Sequence, residues 1–383
     1  MSEETQEEGS TFKVPLTEIL EIQEHPNAHS LEIAVVYGFQ VIVSKDKYKV
    51  GDRALYIPID SILPQDLEDL MFPEGSKIKL SKHRVKQIRL RKIASQGMLI
   101  DPIDIRTTHG FLPDKLEKDY KEELNITKYE PPTPKFQLST GNQAKRNKPL
   151  ENANFHKYNG LNNIKWFPTM FKNDDIVVMQ EKIHGSHARA SIMPFQANTI
   201  WKKIKKLLGL VPKFEFCYGS NNVQLQERAG YTGFYGEDIY GRVFQELDVK
   251  NKLKEGESIY GEIYGEGIQK NYNYGLKGSQ KFILFDVKIL SYDGTQKWLN
   301  PDEVASFAKE RGFDMVPEVY RGPFSIEIAK KMTEGNSILA PSQKVREGVV
   351  VKAIHGYSDD RGSKKALKVI SEKYLDKEQT DFH

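Results

Sequence analysis

Apolar and polar positions alternate in short runs through the first 110 residues. The runs 33–36, 39–43 and 54–58 are rich in β-branched and aromatic side chains, and Gly38, Gly51 with Asp52, and Pro58 punctuate them. Side chains along a strand point alternately to its two faces, so such runs read as half-buried strands. Short strands at this spacing predict a small antiparallel barrel, and a five-stranded OB barrel is the natural candidate. Two further segments, 77–80 and 85–91, alternate roughly with period two and predict strands with a cationic face. Between them they belong to a stretch with eight basic residues (Lys77, Lys79, Lys82, Arg84, Lys86, Arg89, Arg91, Lys92) and no acid. A plain solvated face is the alternative; the missing acids favour a face for an anionic strand.

The pattern breaks over 129–154, which is polar and holds Pro131, Pro132 and Pro134, and reads as a linker. It resumes with strand-like runs at 175–182, 258–265, 281–287, 348–352 and 366–370. The segment 301–312 opens with acids and closes at Gly312, and so predicts a helix; 323–332 predicts a second. Together these predict an α+β domain of mainly antiparallel sheets over 155–375, following a barrel domain over 11–128. Residues 1–10 are expected to be a disordered acidic start, and 376–383 a frayed tail. Within 199–209, Ile200, Ile204, Leu207 and Leu208 share one helical face, with four lysines around the rest. That stretch reads either as a packed surface helix or as a flap that contacts phosphates.

Composition sets outer bounds. A chain of 383 residues suggests two domains, and a 38% hydrophobic share excludes global disorder. No apolar run approaches the ~20 residues of a membrane span. One cysteine, Cys217, leaves neither a disulfide framework nor a Cys-based zinc site. The acidic start is not a secretory signal, so a cytoplasmic or nuclear location is expected. Net charge +3 does not argue for nucleic acid by itself; the distribution of charge carries that case.

The chemistry centres on Glu181-Lys182-Ile183-His184-Gly185-Ser186. A strand there delivers a lysine directly into a tight turn. Such a lysine can be a covalent nucleophile if its amine is partly deprotonated; otherwise it is a surface lysine at a hairpin end. Four features follow in order: Gly261-Glu262 beside Tyr264 and Gly265, Phe285-Asp286 at the end of an apolar run, Glu347 and Lys352 at opposite ends of one strand, and Lys368. Each alone is weak, and their order over almost 190 residues is not.

This set resembles the covalent nucleotidyltransferases, the superfamily of ATP-dependent RNA and DNA ligases and mRNA capping enzymes. Lys182-Ile183-His184-Gly185 matches motif I, Glu262 motif III, Phe285-Asp286 motif IIIa, Glu347 to Lys352 motif IV, and Lys368 motif V. The histidine at the third position of motif I points to RNA ligases. The segments beginning at His25, Val50 and Asp60, and that from Ile88 to Gly97, look like the OB domain that precedes the ligase domain in one group. Those are the ATP-dependent RNA ligases that seal nicks with an RNA 3′-OH strand. The resemblance implies an OB-type β-barrel followed by an ATP-grasp-like nucleotidyltransferase domain. Capping guanylyltransferases place their OB domain last, which counts against them. A non-catalytic RNA-binding protein on a degenerate ligase scaffold is the other alternative. It draws on two departures: Asn221 stands where the group has an arginine, and Ala366 where it has a second motif V lysine.

The resemblance also implies roles. Lys182 would take AMP from ATP, and Glu347 would hold Mg²⁺ or Mn²⁺ with Asp286 as a helper. Glu262 would accept from ribose hydroxyls. Phe285 and Val350 would sandwich adenine or be plain core. Lys352 and Lys368 would face the phosphates. Glu181, His184, Gly185, Arg189 and Asn221 would border the nucleotide, His184 as a hydrogen-bond organiser. Lys86, Arg89 and Arg91 would contact RNA with 3′-OH and 5′-phosphate ends, in a nicked duplex. No membrane partner and a monomeric state are expected.

Overall fold

The strands Leu31–Val36 and Phe39–Ser44 pair across Tyr37 and Gly38, whose φ values are 49° and 74°. Two positive φ angles are what a two-residue hairpin turn favours. The computed structural model describes residues 12–76, 80–129, 152–197, 200–225, 237–358 and 363–377. They fall into two compact units, Met1–Pro132 with Leu375–His383, and Thr133–Tyr374.

In the first unit, Leu16–Glu18, Arg53–Ile57 and Met98–Ile100 form one antiparallel sheet, and the hairpin with Glu21–Glu24 forms another. The two sheets are stitched by backbone bonds from Leu20 to Val35 (2.9 Å) and from Gln96 to Gln40 (2.7 Å). Leu16, Leu55, Ile57, Leu67 and Ile100 fill the interior of this OB-type barrel. Gly97 is required where the chain crosses the central strand. Its φ is +134°, and a Cβ there would lie 2.6 Å from the Ile57 carbonyl oxygen.

The basic stretch is less uniform than its alternation predicts. Residues 77–79 lie outside the described residues. The expected strand 85–91 is confined to Ile88–Leu90, because Val85 is buried and bonds to the backbone of Asp60 and Ser61 instead. Arg84 is also buried, ion-paired to Asp60 at 2.7 Å and stacked on Tyr129 at 3.6 Å. Arg91 and Lys92 form the turn to Ile93–Ser95, both at positive φ.

The second unit is built on two sheets. The first runs Asn162–Asn163, Ala366–Ile370, Gly348–Ala353, Ile176–Lys182, Glu318–Pro323. The second runs Gln224–Leu225, Phe214–Ser220, Ser186–Pro194, Glu257–Gly265, Gln280–Leu290, Gln296–Trp298. All pairings are antiparallel except Asn162–Asn163 with its neighbour. In the first sheet Val177, Met179, Val349, Val351, Leu367 and Val369 pack into one apolar cluster. Alternation therefore sends Gln180, Lys182, Val350, Lys352 and Lys368 to the opposite face. In the second sheet Ala188, Ala190, Ile259, Ile263 and Leu284 pack with Val243 and Phe244 of the helix Ile239–Glu246 and Val304 and Phe307 of Pro301–Arg311. His187, Arg189, Tyr260 and Glu262 alternate to its other face.

The helix Pro301–Arg311 matches its sequence signals: Asn300 and Glu303 form a capping box, and Gly312 closes it in the left-handed region. The second helix starts later than 323. Glu318–Pro323 is an edge strand, and the helix Ile326–Met332 begins after Ser325, whose side chain caps it. The segment 199–209 does yield a helix, Ile200–Leu207, but the packed reading is overturned, since its apolar face is exposed.

One buried carboxylate bridges the two sheets. Asp286 accepts from Lys352 Nζ (2.8 Å), Tyr357 OH (2.9 Å) and Tyr158 OH (2.6 Å), with Lys364 Nζ at 3.4 Å. Burial alone would raise its carboxyl; Lys352 and then Lys364 outweigh that and hold it below the usual range. Asp286→Asn would leave two buried ammonium groups without their counter-charge. It should cost about 3–5 kcal/mol in denaturant unfolding. A loss under about 1 kcal/mol would mean that the bridge does not depend on the charge of Asp286.

Candidate active site

Lys182 is the last residue of its strand and lies opposite Gly348 in the antiparallel register. Glu347, one residue earlier, is thereby placed beside it, and Lys182 Nζ donates to Glu347 Oε1 at 2.5 Å. Glu347 is buried. Burial would raise its carboxyl, but Lys182 and His184 prevail and hold it down at about 2. The turn after Lys182 presses on the neighbouring sheet. A Cβ on Gly185 would sit 2.6 Å from the Ile263 carbonyl oxygen and 3.0 Å from Glu262 Cβ. Only glycine lets this turn approach Glu262 so closely. Burial pushes the Glu262 carboxyl up to about 8, with Lys182 opposing and Glu347 reinforcing the shift.

His184 is buried and held on several sides. Its backbone N–H donates to Tyr274 OH at 2.7 Å, its ring lies edge-on to Tyr272, and Nδ1 is 3.2 Å from Tyr374 OH. Nδ1 is 3.6 Å from Glu347 Oε2, an ion-pair rather than a hydrogen-bond distance. Lys182, His184, Glu262 and Glu347 thus share one locus.

Other expected residues are placed differently. Asp286 was expected to help hold a metal, and its oxygens are taken by the lysines and tyrosines of the bridge; it is a charge hub. Lys352, expected to face phosphates, donates to Asp286 and to the Phe285 carbonyl (2.6 Å). Glu181 turns its carboxylate to the backbone N–H groups of Ile338 (2.7 Å) and Leu339 (3.2 Å), so it pins a loop. Arg189 is fully buried, stacked on Phe155 at 3.8 Å and bonded to the Ser220 carbonyl (2.9 Å). Asn221 accepts the Tyr158 backbone N–H at 2.9 Å. Phe285 packs edge-on to Tyr158 and His187, and Val350 is paired in register with Lys368.

In the barrel unit, Lys86 is half-buried and Arg91 is exposed at the hairpin turn. Arg89 is bonded to Asp376 and to the Lys92 carbonyl, so its guanidinium already has an anionic partner. His25 Nε2 meets the Leu90 carbonyl (3.1 Å) and Asn27 Nδ2 the Arg91 carbonyl (3.0 Å), and these bonds hold the basic hairpin in place.

Lys364 is the residue the sequence reading passed over. Burial lowers its amine to about 7, with Asp286 opposing. A signal was available: Lys364, Ala366 and Lys368 are spaced by two, so an extended chain puts all three on one side. Tyr274 and Tyr374 carried no such signal.

A divalent metal fits this locus. Glu347 Oε2 is buried and has no hydrogen-bond partner, and an oxygen so placed suits a cation or its water shell. No group of three or more His, Cys, Asp or Glu that could hold a metal occurs among the described residues. Mg²⁺ commonly needs only one or two carboxylates, the rest being water and phosphate.

The likeness to known proteins follows the same division. An OB-fold domain model matches residues 14–103, and the RNA ligase family model matches 175–370. A Naegleria gruberi RNA ligase with PPi is 23% identical, covers 97% of this chain and 99% of its own, and superposes with a TM-score of 0.71. Mutants of that ligase with AMP and Mn (22% identity, 96% and 98% coverage, TM-score 0.70) and with ATP and Mn (22%, 96% and 99%, 0.71) share the same fold. No curated protein matches. With more than half of its length matched by the family model, and with an OB-fold domain ahead of it, this chain belongs to the RNA ligase family.

Proposed function

We propose that this RNA ligase uses ATP to join a 3′-OH to a 5′-phosphate, at nicks in duplexes, through a lysyl-AMP on Lys182. The observation that carries this reading is the placement of Lys182 Nζ beside buried Glu347, at a turn that glycine packs against Glu262. The Naegleria structures that hold ATP or AMP with Mn, and PPi, support the choice of nucleotide and of a divalent metal.

In the first step the Lys182 amine, once deprotonated, attacks the α-phosphorus. An N–P bond forms, the bond to the bridging oxygen breaks, and pyrophosphate leaves. AMP then passes to the 5′-phosphate, and the 3′-OH displaces it to close the backbone. Such displacements depend on positioning and charge neutralisation. Glu347 would hold Mg²⁺ or Mn²⁺, which supplies positive charge against the phosphates when bound. His184 fixes the geometry of Glu347. Glu262, kept neutral below about pH 8 by burial, can both donate to and accept from ribose hydroxyls. Lys368 faces the phosphates, and Phe285 with Val350 borders the adenine. Lys86 and Arg91 contact the RNA backbone, while Arg89 holds its hairpin through Asp376.

Incubation with α-labelled ATP and metal, without RNA, should label the protein, and labelled GTP should not. Lys182→Ala and Lys182→Arg should both lose the label, since a guanidinium stays protonated. A labelled Lys182→Ala protein would sink the assignment. Glu347→Ala should slow labelling by at least ~100-fold, the scale of losing one preorganised charge stabiliser. No label from either nucleotide would favour an RNA-binding protein without catalysis.

Replacing both Lys86 and Arg91 by Gln should spare labelling, weaken binding to nicked duplex, and flatten its salt dependence. An unchanged salt slope would remove these residues from the interface.

Glu262 gives a pH test. Its folded value lies above the ordinary 4.5, so the unfolded chain releases this proton first as pH rises. Stability is then present in full below about 4.5 and is lost as pH climbs through about 8. The wild-type protein should therefore lose more stability between pH 5 and pH 9 than Glu262→Gln does. Parallel pH profiles of the two proteins would refute the raised value.

A further inference from the structure

We infer that the helix Ile200–Leu207 is an interfacial anchor that docks the ligase on an anionic lipid surface. The helix rises from the hairpin between Ser186–Pro194 and Phe214–Ser220. At ~100° per residue, Ile200, Trp201, Ile204, Leu207 and Leu208 fall within an arc of about 120°. Lys202, Lys203, Lys205 and Lys206 fill the opposite side. The apolar side is bare: Ile200 is 76% exposed, Trp201 74%, Leu207 88% and Leu208 63%. Leu210, just beyond, is 68% exposed.

The helix ends in its own cap. Gly209 is left-handed and donates to the Lys206 carbonyl, and Leu210 donates to that of Lys205, the two bonds of a Schellman motif. Eight residues are too few to hold a helix in water on propensity alone, so its apolar side calls for a cover.

Charge chooses the cover. No Asp or Glu occurs between Lys182 and Phe214, whereas the helix carries four lysines and Lys213 follows. An RNA backbone would use the lysines and leave five large apolar groups in water. A bilayer with anionic headgroups satisfies both sides at once, with Trp201 at headgroup depth. The absence of a membrane-spanning helix among the described residues does not bear on a helix lying in the interface. The strand Ser186–Pro194 has nine residues, ~30 Å, and separates this helix from the Lys182 turn. Docking here would leave the ligase site uncovered.

The test uses the full chain and vesicles of phosphatidylcholine alone or mixed with phosphatidylglycerol. The protein should sediment with the mixed vesicles only, less so as salt rises, and its tryptophan emission should shift to the blue. Trp201→Phe should remove that shift. Leu207→Glu with Leu208→Glu should weaken binding at least ~10-fold, and changing the four helix lysines to Gln at least ~100-fold. Both variants should keep ATP labelling, which shows that the domain is folded. Failure of the unmutated protein to bind mixed vesicles overturns the proposal, as does undiminished binding by the leucine variant. Loss of RNA affinity in the lysine variant, with vesicles ignored throughout, would make the helix a phosphate contact instead. If the leucine variant does not fold, the blue shift of the unmutated protein decides the matter.

Discussion

Each of the two sheets of the second unit buries one face in its own apolar cluster, and their other faces are tied together by Asp286. A seam of polar side chains between them holds only if its charges are matched. Here the match is made by Asp286, with Lys352 and Lys364 as cations and Tyr158 and Tyr357 as hydroxyl donors. Burial lowers the Lys364 amine to about 7, and the carboxylate opposes that shift. The contact between the two sheets therefore depends on this one group.

The candidate locus around Lys182 lies along the same seam and is set by strand register. Lys182 and Gly348 are paired across the first sheet, which fixes Glu347 beside the lysine. Gly185 then allows the turn to lie against the Glu262 strand. Neighbouring carboxyls are driven apart by these surroundings: Glu347 is held down by Lys182 and His184, while burial lifts Glu262. One remains a charge and the other a hydrogen-bonding neutral group near pH 7.

Periodicity made the strands legible, because each sheet has one apolar face that repeats every second residue. Asn300, Glu303 and Gly312 made one helix legible through its caps. The motif lysines and acids were visible through their order along the chain. The partners were not. Nothing in the sequence shows that Lys352 donates to Asp286, that Glu181 pins Ile338, or that Arg89 reaches Asp376, because these contacts join residues 66, 157 and 287 positions apart. Arg84 shows the same limit. It reads as one more cation on a basic face, yet it is buried against Asp60 and Tyr129. Alternation tells which side of a strand a residue takes, and tertiary contact decides what awaits it there.

The pairing of Glu257–Gly265 with Gln280–Leu290 contains an irregularity: Tyr260 faces Asp286 and Gly261 faces Leu284, which leaves Phe285 as the extra residue. Before it, the even-numbered Phe282 and Leu284 point to the helical core; after it, the odd-numbered Val287 does. The strand therefore changes parity in mid-course. A regular strand would have to offer either Phe285 or Asp286 to the seam, whereas the bulge delivers both from consecutive positions. Parity also makes this spot sensitive to length more than to composition. Inserting one polar residue between 284 and 287 would exchange inside for outside along the rest of the strand, without altering a single hydrophobic side chain.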